Sequence, residues 1–416
     1  MKRLINYIIV SFAPVILFAQ SSVPVWSLDT ILARIDRGNI GLQSYQLEAE
    51  SYKYRADAAT AWMAPMVGAG TFMTPYPGEK AMGPAEKGNI MIEVEQEIPN
   101  PAKLKARRNY IRSQGAIVAS QRGIALNELR ASARSNYYEW LVAKNKLRLL
   151  QDNEKIFSTL KKIEEVRYPY NKSQLSGIYK VTAKLEENNN MVRMQESVVA
   201  RSRAVLLTLM NEDKSTIFDI DSIADAHFVP ELIEDTAVIA SSRSDVGQVD
   251  SRIRSMMLNI ESMRKERKPD FRIRFDHMSP VSSVMPKAFS VMGMVSIPIA
   301  PWASRMYKSE IKAMEYSISS MEKERQGMLV ETKGMLRGMQ EEIQGMHDRV
   351  IAMEEKIIPA LQKAMDANYL LYQENKLSID MVLDSLEALN MMRMNLLDET
   401  LKHYKMIIEY DKTLYK

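Results

Sequence analysis

Hydrophobic side chains recur at helical spacing through two long stretches near the C-terminus, residues 307–358 and 360–415. Neither stretch contains proline, and Pro359 between them predicts a turn. In the first stretch methionine recurs every seven residues on both sides of one four-residue step. Such a repeat is typical of a helix that winds around its neighbours, and the extra four residues locally unwind the coil. We therefore expect antiparallel coiled-coil helices, with the repeat carried by Met314, Met321, Met328, Met335, Met339, Met346 and Met353.

Three short segments alternate between apolar and polar residues instead, and a fourth, residues 66–75, consists of small and apolar residues that lead into a turn-rich stretch. In the clearest, Ile90, Ile92 and Val94 alternate with Glu93 and Glu95. A period of two predicts a β-strand with one apolar and one wet face. We predict strands at residues 66–75, 89–98, 270–278 and 289–297, and hence a mainly α-helical fold with a small β part.

The chain repeats its plan once. Pro65 and Pro269 each end a helical pattern before a strand pair, and the first of these patterns starts after Ser27 and runs to about residue 64. Asn171 and Asn375 each mark a break in the long helical arm that follows the strands. Corresponding marks lie about 200 residues apart, which indicates an internal repeat. We expect a first repeat at residues 20–210, a linker or lateral element at 211–244, and a second repeat at 245–416.

The N-terminus has the pattern of a secretory signal peptide. Lys2 and Arg3 precede an apolar run over residues 4–18, and Ala19 precedes polar residues. The run is shorter than the roughly 20 residues of a membrane-spanning helix, which argues against an anchor. We predict that residues 1–19 are removed and that the protein is exported.

Composition excludes several classes of function. A hydrophobic content of 46% and a charged content of 26% are typical of a folded protein. A net charge of +4, without a basic run, argues against nucleic-acid binding. The chain has no cysteine and only four histidines, which excludes disulfides and a thiol nucleophile and leaves little for a zinc enzyme. We find no catalytic constellation, and we expect no enzyme activity and no cofactor.

The predicted strands have a charged face that suits a water-filled lumen, while their aliphatic face suits lipid. Four strands cannot close a barrel, and an open sheet edge is not tolerated within a bilayer. Either several chains share one barrel, or these strands never enter lipid. In the first case the charged face lines the pore, through Glu93, Glu95, Glu97, Arg272, Arg274 and Asp276.

These features together resemble the TolC family of outer-membrane efflux channels. The strand-to-helix junction at residues 96–107, QEIPNPAKLKAR, and the segment at residues 371–384, LYQENKLSIDMVLD, carry the resemblance together with the repeat. The junction and the methionine content are most similar to the heavy-metal branch with CusC- and CzcC-like members. One departure is that many members carry a lipidated N-terminal cysteine, which this chain lacks.

The resemblance implies a homotrimer in the bacterial outer membrane. Three chains of four transmembrane strands each would form a twelve-stranded β-barrel, continued by an α-helical tunnel through the periplasm. A periplasmic adaptor protein and an inner-membrane pump, of the RND type, would dock at the tip of this tunnel. The partners implied are therefore proteins of the cell envelope and outer-membrane lipid.

The resemblance also points to a periplasmic gate. Asp384 falls where an acidic residue of the family narrows the closed mouth, whereas the neighbouring family acid falls on Met381, a departure. Threefold symmetry would gather Asp384, with Asp380 one turn earlier, into a ring of carboxylates that attracts cations. Tyr179 and Lys180, at the equivalent bend of the first repeat, could latch to these acids. The alternative is that both acids are ordinary solvated residues.

The methionine stripe has two interpretations. Thioethers are soft ligands that select Cu(I), so Met328, Met335, Met339 and Met346 are candidate contacts for copper or silver. A seven-residue apolar stripe is also a packing seam, in which methionine fills irregular gaps. Glycine precedes four stripe methionines and suggests close helix approach, at Gly327, Gly334, Gly338 and Gly345.

Three functions remain open from the sequence. The first is a passive outer-membrane efflux duct of a tripartite system, carrying heavy-metal cations such as copper or silver. The second is the outer-membrane duct of a type I protein secretion system. The third is a soluble periplasmic coiled-coil adaptor or scaffold, whose alternating segments would form exposed hairpins. An apolar face in every strand disfavours the third function.

Overall fold

The computed structural model describes residues 23–222, 226, 228–230, 236–282, 284–298 and 300–415. The predicted signal peptide, residues 1–19, lies outside the described residues, as does part of the predicted linker. None of the described helices is long and apolar enough to cross a membrane.

The first helical pattern forms two helices, so the single helix expected up to residue 64 is wrong. A two-residue strand, β1 (Val25–Trp26), precedes α1 (Leu28–Gly38) and α2 (Ile40–Ala58). The chain turns at Asn39, whose side-chain oxygen accepts a hydrogen bond from the Leu42 amide at 3.2 Å. The Asn39 amide group donates to the Leu209 carbonyl at 2.9 Å. Asparagine thus caps the second helix and interrupts a continuous apolar pattern.

The first strand pair leads into the long helical arm. Strands β2 (Met66–Phe72) and β3 (Asn89–Ile98) form an antiparallel pair. Helix α3 (Pro101–Arg167) follows at once, because proline suits the first helical turn and Asn100 caps it by accepting from the Ala102 amide at 3.1 Å. After a short 3₁₀ turn at Tyr168–Tyr170, α4 (Leu175–Met210) runs back along α3.

The described part of the predicted lateral element, residues 211–244, packs beside β1. Strand β4 (Asp219–Ile220) pairs in parallel with β1, and α5 (Thr236–Ser242) follows it. Trp26 stacks on Phe218 with ring centroids 4.3 Å apart. The Lys144 ammonium group donates to both carboxylate oxygens of Asp219 at 2.9 Å, which joins this region to α3.

The second half of the chain repeats the order of the first. Its elements are α6 (Ser244–Lys265), β5 (Phe271–Pro280), β6 (Ala288–Val295), α7 (Pro301–Ala352), α8 (Ile358–Gln373) and α9 (Ile379–Leu414). Helices α4 and α9 have 36 residues each and begin 204 residues apart. Asn171 and Asn375, also 204 apart, both adopt a φ of 57° in the turns that precede these helices. The internal repeat is therefore present in the backbone itself.

The turn predicted at Pro359 is wrong. The chain passes through a π-helical segment, Met353–Ile357, directly from α7 into α8, and it turns only after Gln373. Proline cannot donate an amide hydrogen, so its presence costs a regular helix one bond. The π segment widens the helix just before Pro359, and the Ile358 amide bonds the Met353 carbonyl across the wider turn. The helix thereby continues past the proline.

The strands of the two repeats meet in one antiparallel sheet of order β2-β3-β5-β6. Within the described residues, β2 and β6 form its two outer edges, and neither is paired on its outer side. The helices pack against one another around clusters of buried hydrophobic side chains. The largest cluster lies where α1, α3, α4 and α9 meet, and it is centred on Ile31, Ile35, Tyr137, Trp140, Leu206 and Phe218.

Candidate functional site

The sheet has an aliphatic and aromatic face that the helices do not cover. Val67, Val94, Phe275 and Val291 form one row across all four strands, because each is the register partner of the next. All four remain exposed, with Val67 at 72% and Val291 at 63%. Water disfavours such a continuous apolar surface, so another apolar surface or lipid is expected to cover it.

The opposite face carries the predicted lumen charges as a paired ladder. The Arg272 guanidinium group lies 3.1 Å from the Glu95 carboxylate and 3.8 Å from that of Glu97. The Arg274 guanidinium group lies 2.9 Å from the Glu93 carboxylate and 2.8 Å from that of Asp276. Four carboxylates therefore face two guanidinium groups, which leaves an excess of two negative charges per chain. All six predicted residues share one face.

The far end of the helical arms, called the tip below, brings two of the four predicted gate residues into contact. The Lys180 ammonium group lies 3.0 Å from the Asp380 carboxylate, so the first repeat contacts the second here. Asp384 lies one turn further along α9 and is exposed, and within the described residues it has no ion pair. Tyr179 is 65% exposed. Within the described residues it forms no hydrogen bond with Asp380 or Asp384.

A second connection at the tip joins Glu164 of α3 to Tyr372 of α8. The Tyr372 hydroxyl donates to the Glu164 carboxylate, which is only 1% exposed. Burial and the neighbouring Glu164 carboxylate raise the pKa of Tyr372 well above its ordinary value, so the hydroxyl keeps its proton as donor. The Arg167 guanidinium group lies 4.5 Å from the centre of the Tyr372 ring and donates to the Tyr372 carbonyl at 3.3 Å.

The start of α4 is packed against this connection. A side chain at Gly177 would place its Cβ 2.8 Å from the Glu164 carboxylate and 3.0 Å from the Ile379 side chain. Two turns further along α4, the Lys184 ammonium group bridges to the Glu387 carboxylate at 2.9 Å. This hydrogen bond from Lys184 to Glu387 raises the pKa of Lys184 despite some desolvation. Polar ties between the repeats at the tip are therefore made by Arg167, Lys180, Lys184 and Tyr372.

Sequence reasoning missed Glu164, Tyr372 and Lys184. One signal was present in the sequence: Glu164 continues the helical spacing of Phe157 and Leu160, both of which are buried. An acid on an apolar stripe requires a buried partner. Nothing in the sequence identified Tyr372 as that partner, because the two residues lie 208 positions apart.

The methionine stripe flanks the packing seam of α7 along much of its length. Leu329, Leu336 and Ile343 are the buried residues, themselves seven apart, and they pack with α9. Met328, Met339 and Met346 are partly buried beside this seam, and Met335 is 46% exposed. Of the stripe, Met314 is itself buried, against α6. Among the described residues, no group of three or more histidine, aspartate or glutamate side chains is arranged to hold a metal ion.

The stripe glycines make no close contact within the chain. At Gly327, Gly334, Gly338 and Gly345, a Cβ atom would meet no other atom within 4 Å among the described residues. The close helix approach that these glycines suggested is therefore not found within one copy of the chain.

No protein-family model and no curated protein matches the chain. Solved structures do, and the fold that they share is that of the TolC-type outer-membrane channels.

Three of these structures give the extent of the likeness. A membrane protein from Pseudomonas aeruginosa superposes with a TM-score of 0.75 at 13% identity, over 94% of this chain and 91% of that one. The transmembrane channel protein CusC gives 0.71 at 14% identity, over 93% and 91%. The CmeC outer-membrane channel of Campylobacter jejuni gives 0.69 at 11% identity, over 93% and 85%. The predicted fold, mainly helical with a small sheet, is confirmed.

Proposed function

We propose that this protein is the outer-membrane channel of a tripartite efflux system and acts as a passive conduit from the periplasm to the exterior. The observation that carries the proposal is the sheet, which has an uncovered apolar face, a charged face and two edges that no described strand pairs with. A sheet of this kind is stable in a bilayer only when further copies close its edges. Three copies would give twelve strands, an even number as in known bacterial barrels.

Two exposed tryptophans support this position in the membrane. Trp62 lies between α2 and β2 and is 56% exposed, and Trp302 lies in the first turn of α7 and is 82% exposed. Both flank the same end of the sheet. Tryptophan is enriched at membrane interfaces, where its ring meets the headgroups. We infer that the bilayer ends at this level and that the helices extend into the periplasm.

We further propose that the tip is a gate held shut by the ties between the repeats. In a trimer, Asp384 and Asp380 would form rings of carboxylates around the axis, and Lys180 would hold Asp380 in the closed position. A periplasmic adaptor and an inner-membrane pump of the RND type would dock here and supply the energy. In this proposal the chain itself has no catalytic role.

The cargo that we favour is a metal cation such as copper or silver. The excess of carboxylates on the charged face would draw cations into the lumen, and the acidic rings would do the same at the mouth. A polypeptide cargo has no corresponding feature among the described residues.

Membrane fractionation followed by conductance recording tests the proposal. We expect the protein in the outer-membrane fraction, extractable only with detergent, and cation-selective current when it is inserted in a planar bilayer. Recovery in the soluble periplasmic fraction would overturn the channel and favour the coiled-coil scaffold. Anion-selective current would retain the channel but overturn the cation cargo.

A further inference from the structure

The four strands of the sheet sort their hydrophobic residues by chemical type. Every valine and isoleucine in β2, β3, β5 and β6 lies on the aliphatic face, as the alternation and the register require. Every methionine in these strands lies on the charged face instead, and there are five: Met66, Met91, Met278, Met292 and Met294.

The register places these methionines beside one another and beside the charges. Met91 is directly opposite Met278 on the neighbouring strand. Directly opposed side chains in a sheet have Cβ atoms roughly 4.5–5.5 Å apart, which allows two thioethers to reach one ion. Another row runs from Met66 through Glu95 and Arg274 to Met292. Charged groups and thioethers are thus interspersed on the same face.

These five methionine side chains are not buried, as side chains of a hydrophobic core would be. Met66 is 63% exposed and Met292 is 48% exposed, and none of the five is buried. A core position would bury the side chain, and a lipid-facing position would lie on the other face with the valines and isoleucines. Methionine on a wet, charged surface therefore needs a reason other than hydrophobic packing.

Thioether sulfur supplies that reason, because it is a soft ligand. It binds Cu(I) and Ag(I) and has little affinity for sodium, potassium or magnesium, which prefer oxygen. The carboxylates of the same face attract cations of every kind, so the charges alone do not select a cargo. The combination attracts cations in general and retains the soft monovalent ones.

We propose that Met66, Met91, Met278, Met292 and Met294 form a thioether path for soft monovalent metal cations along the inner wall of the pore. This inference rests on the proposed channel, since the charged face is a lumen only if the strands form a barrel. It assigns cargo selection to the sheet and not to the methionine stripe of α7. Successive weak sites would let an ion pass from one sulfur to the next.

Silver ions provide the test, because they are soft and stable in air. The channel is inserted in a planar bilayer in potassium nitrate, and silver nitrate is added while the potassium current is recorded. Bound silver should reduce the current of the wild-type channel. In the variant with all five methionines changed to leucine, which conserves volume, the half-blocking silver concentration should rise by roughly tenfold or more. Magnesium nitrate should act equally on both.

Two further variants sharpen the result. The control variant combines Met328→Leu, Met335→Leu, Met339→Leu and Met346→Leu. It removes four sulfur atoms from α7, against five in the sheet variant, and should leave the silver response unchanged. The pair Met91→Leu and Met278→Leu should give part of the full shift, and it serves if the fivefold variant does not conduct. An unchanged half-blocking concentration in the sheet variants, or a shift only in the α7 variant, would overturn the thioether path. Recovery of the wild-type protein in the soluble periplasmic fraction would overturn the channel itself.

Discussion

The hydroxyl of Tyr372 offers the sharpest test of the proposed gate. Tyr372→Phe removes the donor to Glu164 and leaves the ring, and hence its packing and its contact with Arg167, in place. The Glu164 carboxylate stays buried at 1% exposure without that donor. Leaving a buried acceptor unsatisfied costs about 1–3 kcal/mol. This penalty falls on the closed tip, because an open tip lets water reach the carboxylate.

That penalty converts into a change in gating. A shift of about 1–3 kcal/mol between two states changes their ratio by roughly 5–150-fold. The ratio of open to closed time of Tyr372→Phe, recorded as single-channel current in planar bilayers, should rise within this range. The matched control is Tyr369→Phe, since Tyr369 lies one turn earlier on α8, with its ring 6.5 Å from that of Tyr372. If Tyr372→Phe and Tyr369→Phe gave the same open fraction as the wild type, the tie would not hold the gate.

Three further predictions concern other parts of the chain. Gly177→Ala should also raise the open fraction, because its Cβ would lie 2.8 Å from the Glu164 carboxylate; an unchanged fraction would contradict this. Val94→Arg should destabilise the folded barrel by about 2–4 kcal/mol if the side chain lies at the bilayer midplane, and the protein should be depleted from the outer-membrane fraction. Wild-type levels in that fraction would show that this face of the sheet is not exposed to lipid. Burial disfavours ionisation of Asp219, but the hydrogen bonds from Lys144 and from the Ile220 amide outweigh it and hold the pKa of Asp219 below its ordinary value. The stabilisation by Asp219 is therefore present above the ordinary pKa and is lost as pH falls through the lowered one. Melting curves of Asp219→Asn should be less acid-sensitive than wild-type curves, and parallel curves would refute the assignment.

The hydrophobic periodicity and the turn residues predicted those parts of the fold that depend on the local sequence alone. The strict alternation around Ile92 and Phe275 was sufficient to assign both faces of the sheet, because a period of two leaves only two choices. The breaks at Asn171 and Asn375 were also predictable, since asparagine readily adopts the left-handed conformation that each turn uses.

The features that the sequence did not predict depend on the surrounding structure. Pro359 has the local signature of a helix end, but a π-helical segment preserves the helix through it. Asn39 lies within an apolar pattern, and its contact with the Leu209 carbonyl, 170 positions away, adds to its cap of α2 in fixing the turn there. The tie between Glu164 and Tyr372 depends on how two distant segments meet, which no local pattern records.

Disulfide crosslinking between the two sheet edges tests the central claim most directly, because the natural chain has no cysteine. Strands β2 and β6 lie three strand spacings apart in one copy, roughly 14 Å, which is too far for a disulfide within the chain. Val67→Cys would be combined in turn with cysteine at each same-face position of β6: Phe289, Val291, Gly293 and Val295.

The positive control is Val94→Cys with Phe275→Cys, which are register partners within one chain. After oxidation in membranes, we predict that at least one β2–β6 pair gives a ladder of species ending at three linked chains. Monomers alone at all four positions, with the control pair crosslinked, would contradict a barrel closed by three copies.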